Sequence, residues 1–339
     1  MDKINLMNDY NVTAHPLVID AIRAADECRF ACYGTDNVTA GAADLIRSLT
    51  CKPDAAVHFL PGGTITNLTA IGAFLRPHEA VLSPVSAHIY MHETGAIEGV
   101  GHKIINFPAA DGKADTATVR SVCEAHSDEH MVKPRLLFVS QATEAGTVYT
   151  RSELAGLREV CDEFGLLLYI DGARLANALV SEGCDLSLES LAGFADAFYI
   201  GGTKNGLLFG EALVIVNPSL KEDFRFLMKQ RGALLAKGFL LGLQFQALLG
   251  DGLWLELARY ANGMAKRLKK GLRKKGVTLF AENKTNQVFL YAPPDMMPIL
   301  EERVLFEQWG PETPDGVPIR FVTSWATTIQ EINSALELF

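Results

Sequence analysis

The chain lacks several features that mark whole classes of protein. No run of about 18 apolar residues occurs, so no membrane span is expected, and the first eight residues contain no apolar signal core. The net charge is −9, and the one strongly basic stretch, residues 266–275, fits the solvated face of a helix. The sequence therefore predicts neither a membrane partner nor a nucleic-acid partner.

Cysteine pairs and nucleotide-binding glycine patterns are also missing. The six cysteines form no Cys-x-x-Cys pair, which favours reduced thiols in a cytoplasmic protein over a disulfide framework or a zinc site. Neither a Gly-x-Gly-x-x-Gly fingerprint nor a P-loop spacing occurs. These absences argue against a nicotinamide dehydrogenase and a P-loop enzyme.

What the chain does contain is a regular alternation of short apolar strands and helices. Of its 339 residues, 48% are hydrophobic and 21% are charged, as in an ordinary globular enzyme. Runs such as 136–140 and 166–171 lack polar and apolar alternation, which is typical of a mostly parallel sheet covered by helices on both faces. The sequence predicts an α/β fold.

The pattern changes near residue 250, where a second, smaller α+β domain is expected. The predicted division is an N-terminal segment 1–14, a large domain 15–250 and a small domain 251–339. Within the small domain we expect a helix at 253–275, strands near 277–281, 287–291 and 319–323, a helix at 295–305 and another from Thr328.

Lys204 and Asp171 carry the most informative chemistry. Each follows an apolar run that is predicted to be a strand. In open α/β sheets, ligands bind outside the carboxyl ends of the strands. An amine and a carboxylate at two such ends suit pyridoxal 5′-phosphate (PLP), which needs a lysine for a Schiff base and an acid beside its ring nitrogen. Taken singly, Lys204 could be an exposed lysine and Asp171 a helix cap.

A third strand end carries a turn suited to phosphate. Gly62, Gly63 and Thr64 stand between a predicted strand and a predicted helix at 65–75. Helix N-termini present free N–H groups and a positive dipole end. The alternative is a plain capping turn. Three strand ends carry groups suited to a phosphate, a ring nitrogen and a Schiff base. A chance arrangement of all three is less credible than the structural explanation of any one of them alone.

Three further side chains are candidates for the same site. Arg174 follows Asp171 closely, and Arg320, in a predicted strand, could bind a carboxylate bidentately, with a structural ion pair as the alternative. His88, in a predicted loop, could stack on a flat ring or act as a base. His88 and His92 could also bind a metal, but no zinc signature completes the pair.

The chain resembles the low-specificity L-threonine aldolases, which are PLP enzymes of the aspartate aminotransferase fold (fold type I). The resemblance covers nearly the whole chain in order, and Asp-Gly-Ala-Arg-x-x-Asn-Ala followed by Gly-Thr-Lys is its most specific part. The motifs are Tyr-Gly-Thr-Asp (33–36), Gly-Gly-Thr-Ile-Thr-Asn-Leu (62–68), Ala-His-Ile-Tyr-Met-His-Glu-Thr-Gly-Ala (87–96), Glu-Ala-Gly-Thr-Val-Tyr (144–149), Asp-Gly-Ala-Arg-Leu-Ala-Asn-Ala (171–178), Gly-Gly-Thr-Lys-Asn-Gly (201–206) and Arg-Phe-Val-Thr-Ser-Trp (320–325).

The resemblance implies a seven-stranded, mostly parallel sheet and a role for each site residue. Lys204 forms the Schiff base and Asp171 pairs with the ring nitrogen. The remaining implied assignments are Arg174 beside the phenolic oxygen, Gly63 and Thr64 at the phosphate, His88 stacked on the ring, Arg320 at the substrate carboxylate, and Asn8, Tyr33 and Lys237 as further substrate-site residues. The family also implies a homotetramer, a dimer of dimers with shared active sites, in which Tyr33 and Lys237 lie at the shared boundary.

The chain departs from the family at four positions. Asn8 stands where serine is frequent, Tyr169 and Thr143 stand where some members have histidine, and Lys237 stands where arginine is frequent. These differences bear on the preferred substrate side chain and leave the cofactor chemistry intact.

The expected reaction is cleavage of L-threonine, L-allo-threonine or a related β-hydroxy-α-amino acid to glycine and an aldehyde, with His88 as the base. β-Elimination, transamination and racemisation use the same Lys204 and Asp171 and stay open as alternatives. A non-catalytic binding module that retains the fold is a further alternative, against which the intact set of Lys204, Asp171 and Arg174 argues.

Overall fold

The structure is a computed structural model that describes residues 3–339. Its strands are β1 (Ile4–Asn5), β2 (Ala56–Leu60), β3 (Glu79–Pro84), β4 (Ile104–Phe107), β5 (Lys133–Ser140), β6 (Leu167–Asp171), β7 (Ala197–Gly201), β8 (Glu211–Ile215), β9 (Gln287–Ala292), β10 (Val304–Leu305), β11 (Glu307–Gln308) and β12 (Val317–Val322). Its α-helices are α1 (Pro16–Ala24), α2 (Asn37–Thr50), α3 (Gly63–Phe74), α4 (His88–Met91), α5 (Ala96–Gly99), α6 (Thr116–Ala125), α7 (Arg151–Phe164), α8 (Leu175–Leu179), α9 (Leu188–Phe194), α10 (Phe224–Gln230), α11 (Phe239–Leu249), α12 (Leu253–Lys274), α13 (Met297–Arg303) and α14 (Ile329–Glu337).

Seven strands form the central sheet, in the order β2-β8-β7-β6-β5-β3-β4. Strand β8 runs antiparallel to both of its neighbours, and the other pairs of this sheet are parallel. The carboxyl ends of β2, β6 and β7 therefore lie at one edge of the sheet, where β8 begins. The predicted mostly parallel, seven-stranded α/β sheet is confirmed.

Both faces of the sheet are buried, which explains the missing alternation in its strands. Leu168 and Ile170 belong to one apolar cluster, whereas Leu167 and Tyr169, one residue away in each case, belong to another. Side chains alternate across a strand, so a strand buried on both sides has no polar face.

A third apolar cluster lies over the small sheet β11-β12-β9. Helix α12 contributes Leu268 and Leu272 to it, and α14 contributes Ile332. Leu6 belongs to the same cluster, and β1 pairs with β10, so the N-terminal residues pack on the C-terminal part of the chain. The exact division at residues 14 and 250 stays a prediction.

Three local predictions were wrong or incomplete. No strand forms at 277–281: Leu279 makes an isolated bridge to Leu290, and the following residues are held instead by Lys269, which donates to the carbonyl and side chain of Asn283. The loop predicted around His88 is the short helix α4. Helix α11 was missed because it is apolar on all sides and so shows no helical periodicity.

Within residues 3–339, no helix is both long and apolar enough to cross a membrane.

Candidate active site

A cavity of about 490 Å³ opens at the edge of the sheet where β2, β6 and β7 end. Seven of the ten residues to which the resemblance assigns a role line it, so residues as distant in the chain as Gly63 and Arg320 lie at one cavity. These residues are Gly63, Thr64, His88, Asp171, Arg174, Lys204 and Arg320. Six others that matter below also line it, namely Tyr10, His92, Glu144, Tyr199, Glu211 and Glu307.

Asp171, the last residue of β6, is fixed by three donors. The hydroxyl of Tyr199 donates to Oδ1 at 2.6 Å, the backbone N–H of Ala173 donates to Oδ1 at 3.0 Å, and Nδ2 of Asn67 donates to Oδ2 at 3.1 Å. The carboxylate is 4% exposed, so these bonds set its orientation with little competition from water. A carboxylate held this way can face a protonated ring nitrogen.

Lys204 lies in the 3₁₀ turn Thr203–Asn205, directly after β7. Glu211, at the start of β8, accepts the backbone N–H of Gly202 at 2.9 Å and so closes the loop that carries the lysine. Burial lowers the pKa of Lys204, and the positive charge of Arg174 lowers it further, against the opposing charges of Asp9, Glu144 and Asp171. A lowered amine pKa increases the share of neutral, nucleophilic amine at physiological pH.

Arg174 is buried and paired, not a surface arginine. Its Nε and Nη2 donate to Asp9 at 2.8 and 3.0 Å, and its Nη1 lies 4.0 Å from Oε2 of Glu144. Asp9 also accepts from Nδ2 of Asn286 at 2.9 Å. The pair places the N-terminal segment beside the cavity, where Tyr10 contributes to the lining.

The turn after β2 leaves backbone N–H groups open to the cavity. Helix α3 begins at Gly63, and its N-cap Gly62 provides no side chain to bond the first turn. A methyl group added at Gly62 would meet no atom within 4 Å, and one added at Gly63 would lie 3.4 Å from the Tyr199 hydroxyl. The free N–H groups and the exposed Thr64 form a cradle that suits a phosphate.

His88 lies at the start of α4 and bonds to a carboxylate that the sequence did not suggest. Its Nδ1 is 2.8 Å from Oε1 of Glu93, a residue whose side chain is fully buried. Burial lowers the pKa of His88, but Glu93, Glu144 and Asp171 together raise it above its ordinary value. The ring of His92 lies 5.4 Å from that of His88, so both histidines are at the cavity.

Arg320, on β12, reaches the cavity from the small sheet. Its Nη1 donates to Oε1 of Gln287 at 3.0 Å, its Nη2 pairs with Glu307, and its guanidinium stacks over the Trp309 ring at 4.4 Å. Its Nε is buried and has no partner. The ion pair considered from the sequence thus exists, and Arg320 also lines the cavity, with its Nε hydrogen unbonded.

Three predicted substrate-site residues lie outside this cavity in a single protomer. The side chain of Asn8 accepts the backbone N–H of Tyr10 at 3.1 Å, Tyr33 lines a separate small cavity, and Lys237 is exposed. Their assignment to the substrate site stays a prediction, one that requires a neighbouring subunit for Tyr33 and Lys237.

Two of the positions that depart from the family pattern are buried and are not part of the cavity lining. Tyr169 is buried, and its hydroxyl donates to Oδ1 of Asn67 at 3.1 Å; Thr143 is buried and bonds to the hydroxyl of Thr147 at 2.7 Å.

Sequence reasoning missed several polar residues of this region, among them Asp9, Asn67, Glu93, Glu144, Tyr199 and Glu211. The signal that could have found them is a charged or polar residue type at an unusual position in the sequence. Glu211 opens an otherwise apolar strand, and Glu93 and Glu144 stand within motifs of the resemblance. Because a buried carboxylate requires a partner, an acid at the start of an apolar strand, such as Glu211, is a signal of a polar site.

The residues present fit PLP. A phosphate cradle, a lysine of lowered pKa, an anchored carboxylate and a histidine line one cavity at the carboxyl edge of the sheet. The aspartate aminotransferase of Thermus thermophilus has the same fold, with a TM-score of 0.73 at 16% identity over 100% of this chain and 91% of that one. Fold and site together define a fold type I, PLP-dependent enzyme.

Comparison with known proteins narrows the class further. The β-eliminating lyase family model matches residues 16–293. A low-specificity L-threonine aldolase of Pseudomonas aeruginosa is 35% identical over 88% of this chain and 86% of its own length. A solved structure of a Leishmania major threonine aldolase has a TM-score of 0.97 and 44% identity, covering 98% of each chain. The chain belongs to the β-eliminating lyase family, within its threonine aldolase group.

Proposed function

We propose that the protein is a PLP-dependent aldolase that cleaves L-threonine, L-allo-threonine or a related β-hydroxy-α-amino acid to glycine and an aldehyde. The observation that carries the proposal is the gathering of Lys204, Asp171, Arg174 and the Gly62–Thr64 cradle in one cavity. The names of the relatives at 35% and 44% identity support the choice of reaction.

The cofactor-holding residues follow from the donors and acceptors at the sheet edge. Lys204 would hold the cofactor covalently through its amine, and the free N–H groups at Gly63 and Thr64 would hold its phosphate. Asp171 would keep a proton at the ring nitrogen, and Arg174 would interact with the phenolic oxygen. When bound, PLP supplies a ring that takes up the electron pair released as the Cα–Cβ bond breaks.

The substrate is oriented by Arg320 and deprotonated by His88. The Arg320 guanidinium would bind the substrate carboxylate and so restrict rotation about Cα, which would favour the orientation in which the Cα–Cβ bond breaks. His88 accepts the proton of the β-hydroxyl group as the Cα–Cβ bond breaks. An imidazole suits this task because its pKa is near the working pH.

β-Elimination is the second candidate, since the matching family model bears that name. It uses the same Lys204 and Asp171 but yields pyruvate and ammonia from serine, whereas the aldolase yields glycine and an aldehyde.

We also propose that the protein is a cytoplasmic homotetramer built from two dimers that share active sites. Support for the compartment comes from the six free cysteines, three of which, Cys28, Cys32 and Cys51, are exposed. Support for shared sites comes from Tyr33 and Lys237, which a single protomer leaves outside the cavity.

The deciding experiment is an incubation of the purified protein with PLP and a panel of β-hydroxy-α-amino acids, with assays for glycine, aldehyde, pyruvate and ammonia. We expect glycine and aldehyde in equal amounts, and we expect Lys204→Ala to abolish both the PLP-dependent absorbance and the products. Lys103→Ala, at an exposed lysine, is the matched control and should behave like the parent protein. Pyruvate as the main product, or full activity in Lys204→Ala, would sink the proposal.

A further inference from the structure

Glu93 is a buried carboxylate that bonds to His88, which lines the cavity, and to the buried Asn67. The side chain of Glu93 is 0% exposed. Oε1 lies 2.8 Å from Nδ1 of His88 and 2.8 Å from Nδ2 of Asn67, and Oε2 is buried without a partner. A carboxylate with this surrounding is costly to bury, so its retention needs a reason in the neighbouring groups.

The orientation of the Asn67 amide shows which atoms donate. Its Oδ1 accepts the Tyr169 hydroxyl at 3.1 Å, and its Nδ2 faces two carboxylates, Glu93 at 2.8 Å and Asp171 at 3.1 Å. The reversed amide would direct its oxygen at both carboxylates. The two hydrogens of Nδ2 are therefore both used, one on each acid.

The tautomer of His88 follows from the same reasoning. An ionised Glu93 can only accept, so Nδ1 of His88 must carry a hydrogen to bond with it. In the neutral ring the hydrogen on Nδ1 leaves Nε2 with its lone pair. The nitrogen bonded to Glu93 is thus the donor, and Nε2 is the nitrogen left to accept a proton.

We infer that Glu93 is a positioning residue of the aldol cleavage, which holds the His88 ring in the tautomer that makes Nε2 the proton acceptor for the substrate β-hydroxyl group. The inference rests on the proposed function for its chemistry, but the tautomer itself is a property of this chain. The same network runs from His88 through Glu93 and Asn67 to Asp171, so it fixes the position of the His88 ring relative to the Asp171 carboxylate.

The charges that face His88 determine how its pKa should change when Glu93 is replaced. Glu93, Glu144 and Asp171 favour the protonated ring, while burial and Lys204 oppose it, and His92 is the neighbouring ring. Replacing Glu93 by an uncharged residue removes one of the favourable contributions. The pKa of His88 should then fall.

The test combines a direct readout of the tautomer with kinetics. Proton–nitrogen correlation spectra of ¹⁵N-histidine-labelled holoenzyme should show the His88 ring with hydrogen on Nδ1, the signal being assigned by its loss in His88→Phe. In Glu93→Ala the hydrogen should redistribute toward Nε2. The kcat of that variant should fall about tenfold or more, with PLP absorbance retained.

Glu93→Gln separates charge from shape. Its amide oxygen can still accept from Nδ1, so we expect the tautomer to persist while the acidic limb of the kcat/KM profile moves to lower pH. Glu98→Gln, at an exposed glutamate five residues on, is the matched control and should leave the spectrum and the profile unchanged.

The outcomes divide cleanly. Hydrogen on Nε2 of His88 in the parent protein, or an unchanged tautomer and kcat in Glu93→Ala, overturns the inference, as does a loss of activity that only tracks loss of bound PLP. If the parent protein releases no glycine from any β-hydroxy amino acid, the proposed function fails. In that case an Nδ1 hydrogen that depends on Glu93 still supports the positioning role, and its absence still overturns it.

Discussion

Arg174 and Asp9 form a bidentate ion pair between residues that are 165 positions apart in the chain, with N–O distances of 2.8 and 3.0 Å. The two side chains are 5% and 1% exposed. Burial opposes ionisation of Asp9, yet the charges of Arg174 and Lys204 hold its pKa below the ordinary value. The pair ties the N-terminal segment to Arg174, three residues after Asp171 at the end of β6.

Removing one partner of this pair should be costly. Asp9→Ala leaves a buried guanidinium without its counter-ion, and we expect a loss of about 3–5 kcal/mol in the free energy of unfolding. Urea denaturation at neutral pH measures it. Asp20→Ala breaks an exposed pair with Arg23 and serves as the control, with an expected change below about 1 kcal/mol. Equal losses of unfolding free energy in the two variants would show that the buried pair stabilises the fold no more than the exposed one does.

Gly172 is required because the backbone that follows Asp171 closely approaches the backbone of β7. A methyl group at this position would lie 1.7 Å from the carbonyl oxygen of Tyr199. Gly172→Ala must therefore separate β6 from β7, and we expect loss of soluble protein or a fall of at least several °C in melting temperature.

Gly193, in α9, offers the matched control for the same substitution. A methyl group there meets no atom within 4 Å. Gly193→Ala should stabilise the protein by about 0.5–1 kcal/mol, because alanine has the higher helix propensity and a smaller entropy in the unfolded chain. Scanning calorimetry measures the melting temperatures of both variants. Equal melting temperatures would contradict the close approach of the two backbones at Gly172.

Arg320 should act on the substrate carboxylate specifically. Arg320→Lys replaces a planar fork by a single point charge, and we expect kcat/KM for threonine to fall about 10- to 100-fold, chiefly through KM. Threonine amide has no carboxylate, so the same variant should treat it almost as the parent protein does. Arg303→Lys, at an exposed arginine, is the control. An equal penalty for threonine and its amide would place Arg320 outside carboxylate binding.

Glu211 should make stability depend on pH. Burial raises the pKa of Glu211 from 4.5 to about 7, while bonds from Thr203 and Gly202 oppose the shift. The folded state thus binds the proton more tightly than the unfolded state does. Glu211 therefore contributes to the free energy of unfolding fully below pH 4.5. This contribution, about 3 kcal/mol, is lost as the pH rises through about 7.

The measurement is urea denaturation of the parent protein and Glu211→Gln at pH 5 and pH 8. Glutamine has the shape of glutamate but does not titrate. The free energy of unfolding of the variant, relative to that of the parent protein, should therefore be higher at pH 8 than at pH 5. Glu189→Gln, at an exposed glutamate, should show no such change. A pH-independent difference between the parent and Glu211→Gln contradicts the assignment.

Much of the fold was predictable because its signals are local. The ends of β6 and β7 follow from unbroken apolar runs, and the apolar residues within 151–164 recur at close to helical spacing, in agreement with α7. The failures have local causes as well. In α11 the apolar residues surround the helix, and at 277–281 an apolar run lacks a partner strand along its length.

The sequence by itself determined the α/β class, the strand ends and the residue types that stand there, since strand periodicity and strand termination depend on neighbours along the chain. Lys204, Asp171 and the glycine turn were found in this way. The tertiary structure alone decided that Asp9 meets Arg174 and that Glu93 meets His88 and Asn67. Such contacts depend on how strands order themselves in the sheet and how distant segments pack on it. Spacing along the chain carries no record of that order, so the carboxylates that set the charge and proton positions of the site emerge only from the folded molecule.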